Sequence, residues 1–174
     1  WLDSCPSGLA DLPRRAHRHP CRPPRVSTMA LQSTSFVTHK GAKFAVESGL
    51  AFAAQKGWAV TVAVCDQGGN VIALQRLDGA MPVSAEIAAG KARSAALFAR
   101  ETALLEAGSN VKEGAARTAL LSAGYVLMEG GVPIKDPASG RIIGAVGVSG
   151  VKPDEDAAVA KAAVAALAAP PSSL

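Results

Sequence analysis

"WAVTVAVCDQGGNVIALQRL", residues 58–77, decides the fold. Its two ends, 58–65 and 70–77, are runs of apolar and β-branched residues, each the length of one strand. Between them "DQGGN" supplies Gly68, Gly69 and Asn70, residues that accept positive φ. The stretch predicts a β-hairpin. Upstream, Ala42, Ala45, Val46, Gly49, Leu50 and Ala53 recur at helical spacing. Ser33, Thr34 and Ser35 offer caps before them, and Lys56-Gly57 offers a stop after them. Downstream, residues 84–107 read as one long helix, capped by Ser84 with Glu86 in its first turn. After a polar, glycine-containing connection around 108–118, "LLSAGYVLMEGGVPI" (120–134) reads as a strand that stops at Gly130-Gly131 and resumes at Val132. "GRIIGAVGVSG" (140–150) reads as another strand. A last helix begins after Pro153, with Asp154, Glu155 and Asp156 at its start and Val159, Ala163 and Leu167 along one side. Strands joined by short turns, with a helix between two such groups, imply an α+β layered fold on an antiparallel sheet.

Composition sets the style of packing. Hydrophobic residues make up 49% of the 174 but aromatics only 4%, so helices and sheet must meet through small side chains. The length suits one domain, and no apolar run approaches the roughly 18 residues of a membrane span. Residues 1–28 carry five arginines against Asp3 and Asp11, which is +3 of the formal +4. From Met29 onward, 13 basic residues face 12 acidic ones, with no basic stripe interleaved with aromatics; this excludes nucleic acid as a partner of the folded part. The first 28 residues, rich in Pro and Arg and without apolar periodicity, are expected to be a disordered basic tail ahead of a single domain over 29–174. Cys5, Cys21, His17 and His19 in that tail match no zinc spacing, and no metal site is expected. Cys65, the one cysteine after the tail, leaves no disulfide framework and points to a reducing, cytoplasmic setting.

One charge stands out. In "EIAAGKARSAALF" (86–98), Ile87, Ala95 and Phe98 form an apolar stripe, and Lys91 falls on it. A lysine there either snorkels out or finds a polar partner, because burying it unpaired is costly. Two readings follow: Lys91 lines a cavity, giving its charge to an anionic ligand beside Gly130 and Gly131, or it reaches a subunit interface and pairs with an acidic side chain. Gly130-Gly131 before Val132-Pro133 likewise fits either close approach of backbone to a ligand or a plain bend. Glu86, five residues from Lys91, is about 140° around the helix from it and so is no simple i,i+4 partner.

The ordered blocks "VAVCDQGGNVIALQRLDGA", "SAEIAAGKARSAALFARET", "GGVPI" and "IIGAVGVSG", followed by an acidic helix start, resemble the GlcG/HbpS family of haem-binding-like proteins, which includes the C-terminal domain of PduO. The resemblance covers roughly residues 30–168. It implies a profilin-like architecture, a five-stranded antiparallel sheet flanked by helices, assembled as a homo-oligomer, with haem or a related tetrapyrrole as a possible ligand. The expected ligand-binding residues are Glu86, Lys91, Gly130, Gly131 and Pro133. For haem iron, His39, Met81, Met128, Cys65 and Tyr125 are the candidate donors, and no motif selects one. His39 is expected on an exposed helical face, Cys65 as a small core residue, and Tyr125 and Met128 on alternate faces of a strand. Two further functions stand beside ligand binding. One is a cofactor-independent enzyme acting on a small carboxylate, with Lys91 as base or anion clamp and Asp66 or Glu86 as acid; the other is a structural oligomer without a ligand.

Overall fold

The hairpin forms where the two apolar runs and the glycine-rich turn between them place it. In the computed structural model, which describes residues 33–110 and 118–168, β1 (Thr61–Asp66) pairs antiparallel with β2 (Val71–Arg76). The Asp66 carboxylate closes the turn, its Oδ1 accepting from the N–H groups of Gly68 at 2.8 Å and Asn70 at 2.9 Å. Gly69 takes the positive φ of 79° that the turn requires. β1 is central. Its other side pairs with β4 (Ile142–Ser149), which in turn carries β3 (Gly131–Lys135), giving the order β2-β1-β4-β3 with every neighbour antiparallel. The tail over 1–28 and most of the 108–118 connection lie outside the described residues.

Alternation along β1 and β4 sends two kinds of side chain to the two faces of the sheet. Val62, Val64, Val146 and Val148 meet α1 (His39–Gln55) and α4 (Pro153–Ala168) in the main core, with Val46, Leu50, Val159 and Ala163 opposite them. Transfer of such valines from water is worth about 1.5–3 kcal/mol each. The other face is built from Cys65, Ala145 and Gly147, and onto it packs α2 (Ser84–Leu97) through Ala88, Ala92, Ala95 and Ala96. A Cβ on Gly147 would collide with the Ala88 carbonyl oxygen and the Ala92 backbone nitrogen. Helix backbone here rests on strand backbone. The composition, poor in aromatics and rich in alanine, finds its use in this layer.

Several expectations need correction. The sheet has four strands among the described residues, not five. Residues 120–129, read as strand, instead form the end of a 3₁₀ helix (Thr118–Ala123) and an irregular stretch. Their side chains are spent elsewhere: Val126 sits over Gly90 on the outer face of α2, and Tyr125 meets Phe98 edge-on at 4.9 Å. The Glu129 N–H bonds the Glu106 carboxylate at 2.6 Å rather than a strand neighbour. Tyr125 and Met128 therefore do not alternate on a strand.

The single helix over 84–107 is two. α2 ends at Leu97, and α3 (Thr102–Ser109) starts afresh. The break is a Schellman turn in which Arg100 N–H reaches the Ala95 carbonyl and Ala99 N–H the Ala96 carbonyl, with Ala99 at φ 52°. α1 ends in the same motif with Gly57 at φ 69°, Trp58 N–H on Ala53 O, and the Trp58 ring against Phe52. Caps differ as well. Thr38, not Ser33, Thr34 or Ser35, caps α1 by accepting from Gly41 N–H. Ser84 is no cap; its hydroxyl is buried, 2.6 Å from both Thr61 Oγ1 and the Met81 carbonyl.

Candidate functional site

Lys91 leaves α2 from its buried stripe and is wholly enclosed, with no exposed surface. Its Nζ lies 2.7 Å from Oδ2 of Asp156, in the first turn of α4, and Asp156 is 2% exposed. The pair joins the helix on one face of the sheet to a helix on the other. It passes the start of β3, where Gly130 (φ 123°) leaves room: a Cβ there would stand 2.8 Å from Lys91 Nζ and 2.9 Å from Asp156 Cβ. Gly131 is equally tight, since its Cβ would meet the Lys91 carbonyl oxygen at 2.5 Å and Thr102 Cγ2 at 2.7 Å. The glycine pair is required by close approach of α2, α3 and α4 around one strand end.

The polar groups of this junction are largely bound to one another. Gly131 N–H donates to Thr102 Oγ1 at 2.8 Å, Gly130 O accepts from Val148 N–H at 2.9 Å, and the second oxygen of Asp156 accepts from Val151 N–H at 3.2 Å. Burial pushes the Asp156 carboxyl above its ordinary range, and the Lys91 ammonium and the Val151 amide pull it part of the way back. One turn beyond Lys91, Ser94 buries a hydroxyl with no partner among the described residues.

Of the five residues expected to bind a ligand, the structure brings Lys91, Gly130 and Gly131 together. Glu86 is exposed on the outer side of α2 and does not join them. Pro133 sits on β3, an edge strand, the position in a sheet that tolerates proline. It lines two neighbouring clefts. The first, of about 400 Å³, has a wall formed by Phe36, Val37, Ile143, Val164 and Leu167, with Lys135 at its margin. The second, of about 410 Å³, lies toward the α2–α3 turn.

The iron-donor candidates are scattered. His39 is exposed at the start of α1, beside Thr38 of the first cleft. Cys65 is fully buried in the α2 layer, where burial pushes its thiol up to about 12. Met81 is 56% exposed, and Tyr125 and Met128 share a third cleft of about 320 Å³ with Leu121 and Glu106. Asp66 is a turn residue; the Asn70 amide is the largest of several donors that hold its carboxyl below the ordinary range. Among the described residues no group of three or more His, Cys, Asp and Glu side chains is placed to hold a metal ion, and no helix is long and apolar enough to cross a membrane.

Sequence reasoning missed Asp156 as the partner of Lys91. The signal was present: of the three acids opening α4, Asp156 alone shares a helical face with Val159, Ala160 and Ala163.

A four-stranded antiparallel sheet with helices on both faces and clefts along one edge strand defines the class, an α+β layered domain. The chain belongs to the HbpS-like family, described as "Haem degrading protein HbpS-like", which matches residues 37–165. Protein GlcG of Escherichia coli (strain K12) is 41% identical over 104 residues, 60% of this chain and 74% of that protein. The crystal structure of HbpS superposes with a TM-score of 0.69 at 30% identity, covering 78% of this chain and 93% of HbpS. A PduOC:haem complex has the same TM-score, 0.69, at 25% identity, covering 76% of this chain and 95% of that one.

Proposed function

We propose that the protein binds a haem or related tetrapyrrole, a flat apolar ligand with carboxylate arms, in the first cleft along β3. The observation that carries this reading is the cleft itself. Its volume falls in the range of ligand sites, its walls are mostly hydrocarbon, and Lys135 supplies a cation in its lining. Family membership and the likeness to a protein solved with haem support the ligand class.

The residues present fit part of what haem asks. Hydrocarbon from Val37, Ile143, Val164 and Leu167 suits the macrocycle and Lys135 suits a propionate, while no His, Met, Cys or Tyr lines this cleft to ligate iron. The binding we propose is therefore through the periphery of the ligand. When bound, haem would supply iron chemistry; the chain's own part is to bury the ring and pair its charge. Lys91, with Gly130 and Gly131, sets the start of the strand that carries Pro133 and Lys135. An ammonium committed to Asp156 at 2.7 Å and lining none of the three clefts is poorly disposed either to act as a free base or to clamp a ligand, so the reading rests on the cleft along β3 and not on Lys91. In this reading the protein works as a cytoplasmic homo-oligomer, with exposed apolar side chains outside the clefts, such as Met81 (56%) and Val83 (49%), available for assembly.

Hemin titration of the 174-residue chain, followed in the Soret region and repeated with Leu167→Glu, tests the proposal. A saturable, stoichiometric shift that the added carboxylate weakens at least tenfold is expected. No saturable shift, or equal binding by the variant, overturns it.

A further inference from the structure

The second cleft differs from the first in charge. Its apolar wall comes from Ala99, Ala103, Leu104, Val132 and Pro133, and its polar lining from Arg100, Glu101 and Lys135. Glu101 has its own counter-ion, Lys161, at 3.2 Å. Arg100 makes one long side-chain bond, from Nε to the Phe98 carbonyl at 3.4 Å, which leaves its two terminal nitrogens unengaged among the described residues. Lys135 makes no hydrogen bond or ion pair there. The adjacent acid, Asp136, is occupied in its own turn, where it accepts from Ser139 Oγ and Ala138 N–H. The cleft thus presents two cations without counter-ions among the described residues, beside a hydrocarbon floor.

Backbone geometry fixes the first of these cations. Arg100 follows Ala99 in the Schellman turn, and its N–H is tied to the Ala95 carbonyl at 3.2 Å. The Arg100 side chain therefore leaves from a fixed main-chain position, and Lys135 leaves from β3. An arginine offers a carboxylate two parallel N–H donors, and a lysine adds a point charge.

We propose that this cleft is a second site, sharing Lys135 with the first, for a small organic carboxylate, with the carboxylate taken by Arg100 and Lys135 and the apolar body laid on Leu104 and Val132. A volume of about 410 Å³ admits a small molecule. The hydrocarbon floor favours a carboxylate with an apolar body over a fully polar anion such as phosphate.

Calorimetric titration of the full chain with sodium benzoate, benzamide as the neutral isostere, and inorganic phosphate tests the assignment. Saturable 1:1 binding of benzoate is expected, with benzamide and phosphate each at least tenfold weaker. Arg100→Gln, at an exposed position, should weaken benzoate about tenfold, whereas Leu167→Ala, which thins the hydrocarbon wall of the neighbouring cleft without adding a charge near the shared Lys135, should leave it unchanged, separating this site from the tetrapyrrole reading. Absence of saturation, benzamide or phosphate binding as tightly as benzoate, indifference to Arg100→Gln, or loss with Leu167→Ala overturns the proposal.

Discussion

Asp156→Leu strands the Lys91 ammonium in the interior. The two groups are 2.7 Å apart with 0% and 2% of their side chains exposed, so neither is rescued by water. Breaking a buried pair from one side costs about 3–5 kcal/mol, a large share of the roughly 5–15 kcal/mol that holds a domain folded. Lys91→Met is a different perturbation, because the acid it leaves behind can take up a proton. The Asp156 carboxyl is already raised by burial, and loss of the lysine raises it further. A folded-state pKa above the unfolded one means that the folded chain holds the extra proton, so stability falls as pH rises between the two values. The loss is about 1.4 kcal/mol per pH unit over that window and levels off above the folded value. Lys91→Met should therefore come close to wild-type stability near pH 4.5 and fall well behind it by pH 8. The double variant Lys91→Met/Asp156→Leu removes both charges, and replacement of a buried pair by hydrocarbon is commonly neutral or stabilising by about 1–4 kcal/mol. It should be more stable than Asp156→Leu alone. Urea unfolding followed by far-ultraviolet circular dichroism, at several pH values for the four proteins, measures each term. A Lys91→Met deficit that does not change with pH, or a double variant weaker than Asp156→Leu, would refute this account of the pair.

Gly147→Ala should cost about 1–3 kcal/mol or more by overpacking, because the added carbon meets helix backbone, which cannot rotate aside; a thermal midpoint equal to wild type would contradict the packing described for α2. Asp66 has the opposite sign to Asp156. Its carboxyl is lowered by the turn amides, so its contribution is present above the unfolded pKa and is lost as pH falls through the folded one. Asp66→Asn should accordingly flatten the acid limb of a stability–pH curve, and an unchanged limb would count against that role.

Much of the fold is legible in the residues because local and global preferences coincide. The apolar, β-branched runs ending at Cys65 and beginning again at Asn70, with the glycines between them, leave little choice but a hairpin, and Gly57 announces the end of α1. The end of α2 is hidden for a specific reason. Its Schellman turn puts Ala99, a residue that favours helix, in the left-handed conformation, and tertiary packing of Phe98 against Tyr125 outweighs that preference. The stretch 120–129 misleads in the same way. Its apolar side chains satisfy the pattern of a strand, but they are used to roof α2. The approach of Lys91 to Gly130 and Gly131 follows from its place on the buried stripe, whereas the carboxylate it meets is 65 residues away, among acids that also suit a helix dipole. The clefts flanking β3 arise from elements distant in sequence, and Pro133 was the one expected site residue to mark them.

The joint between α2 and the sheet has a mechanical meaning. Where two elements meet through leucines, a push on one side is absorbed as rotamers change and the gap widens by fractions of an ångström. At Gly147 the meeting atoms are main-chain atoms with no rotamers to give. The strands and α2 form a single stiff plate, and the Lys91–Asp156 strut braces α4 to it. A displacement of α2 against the sheet would thus have to be taken up by main-chain atoms, not by side chains changing rotamer.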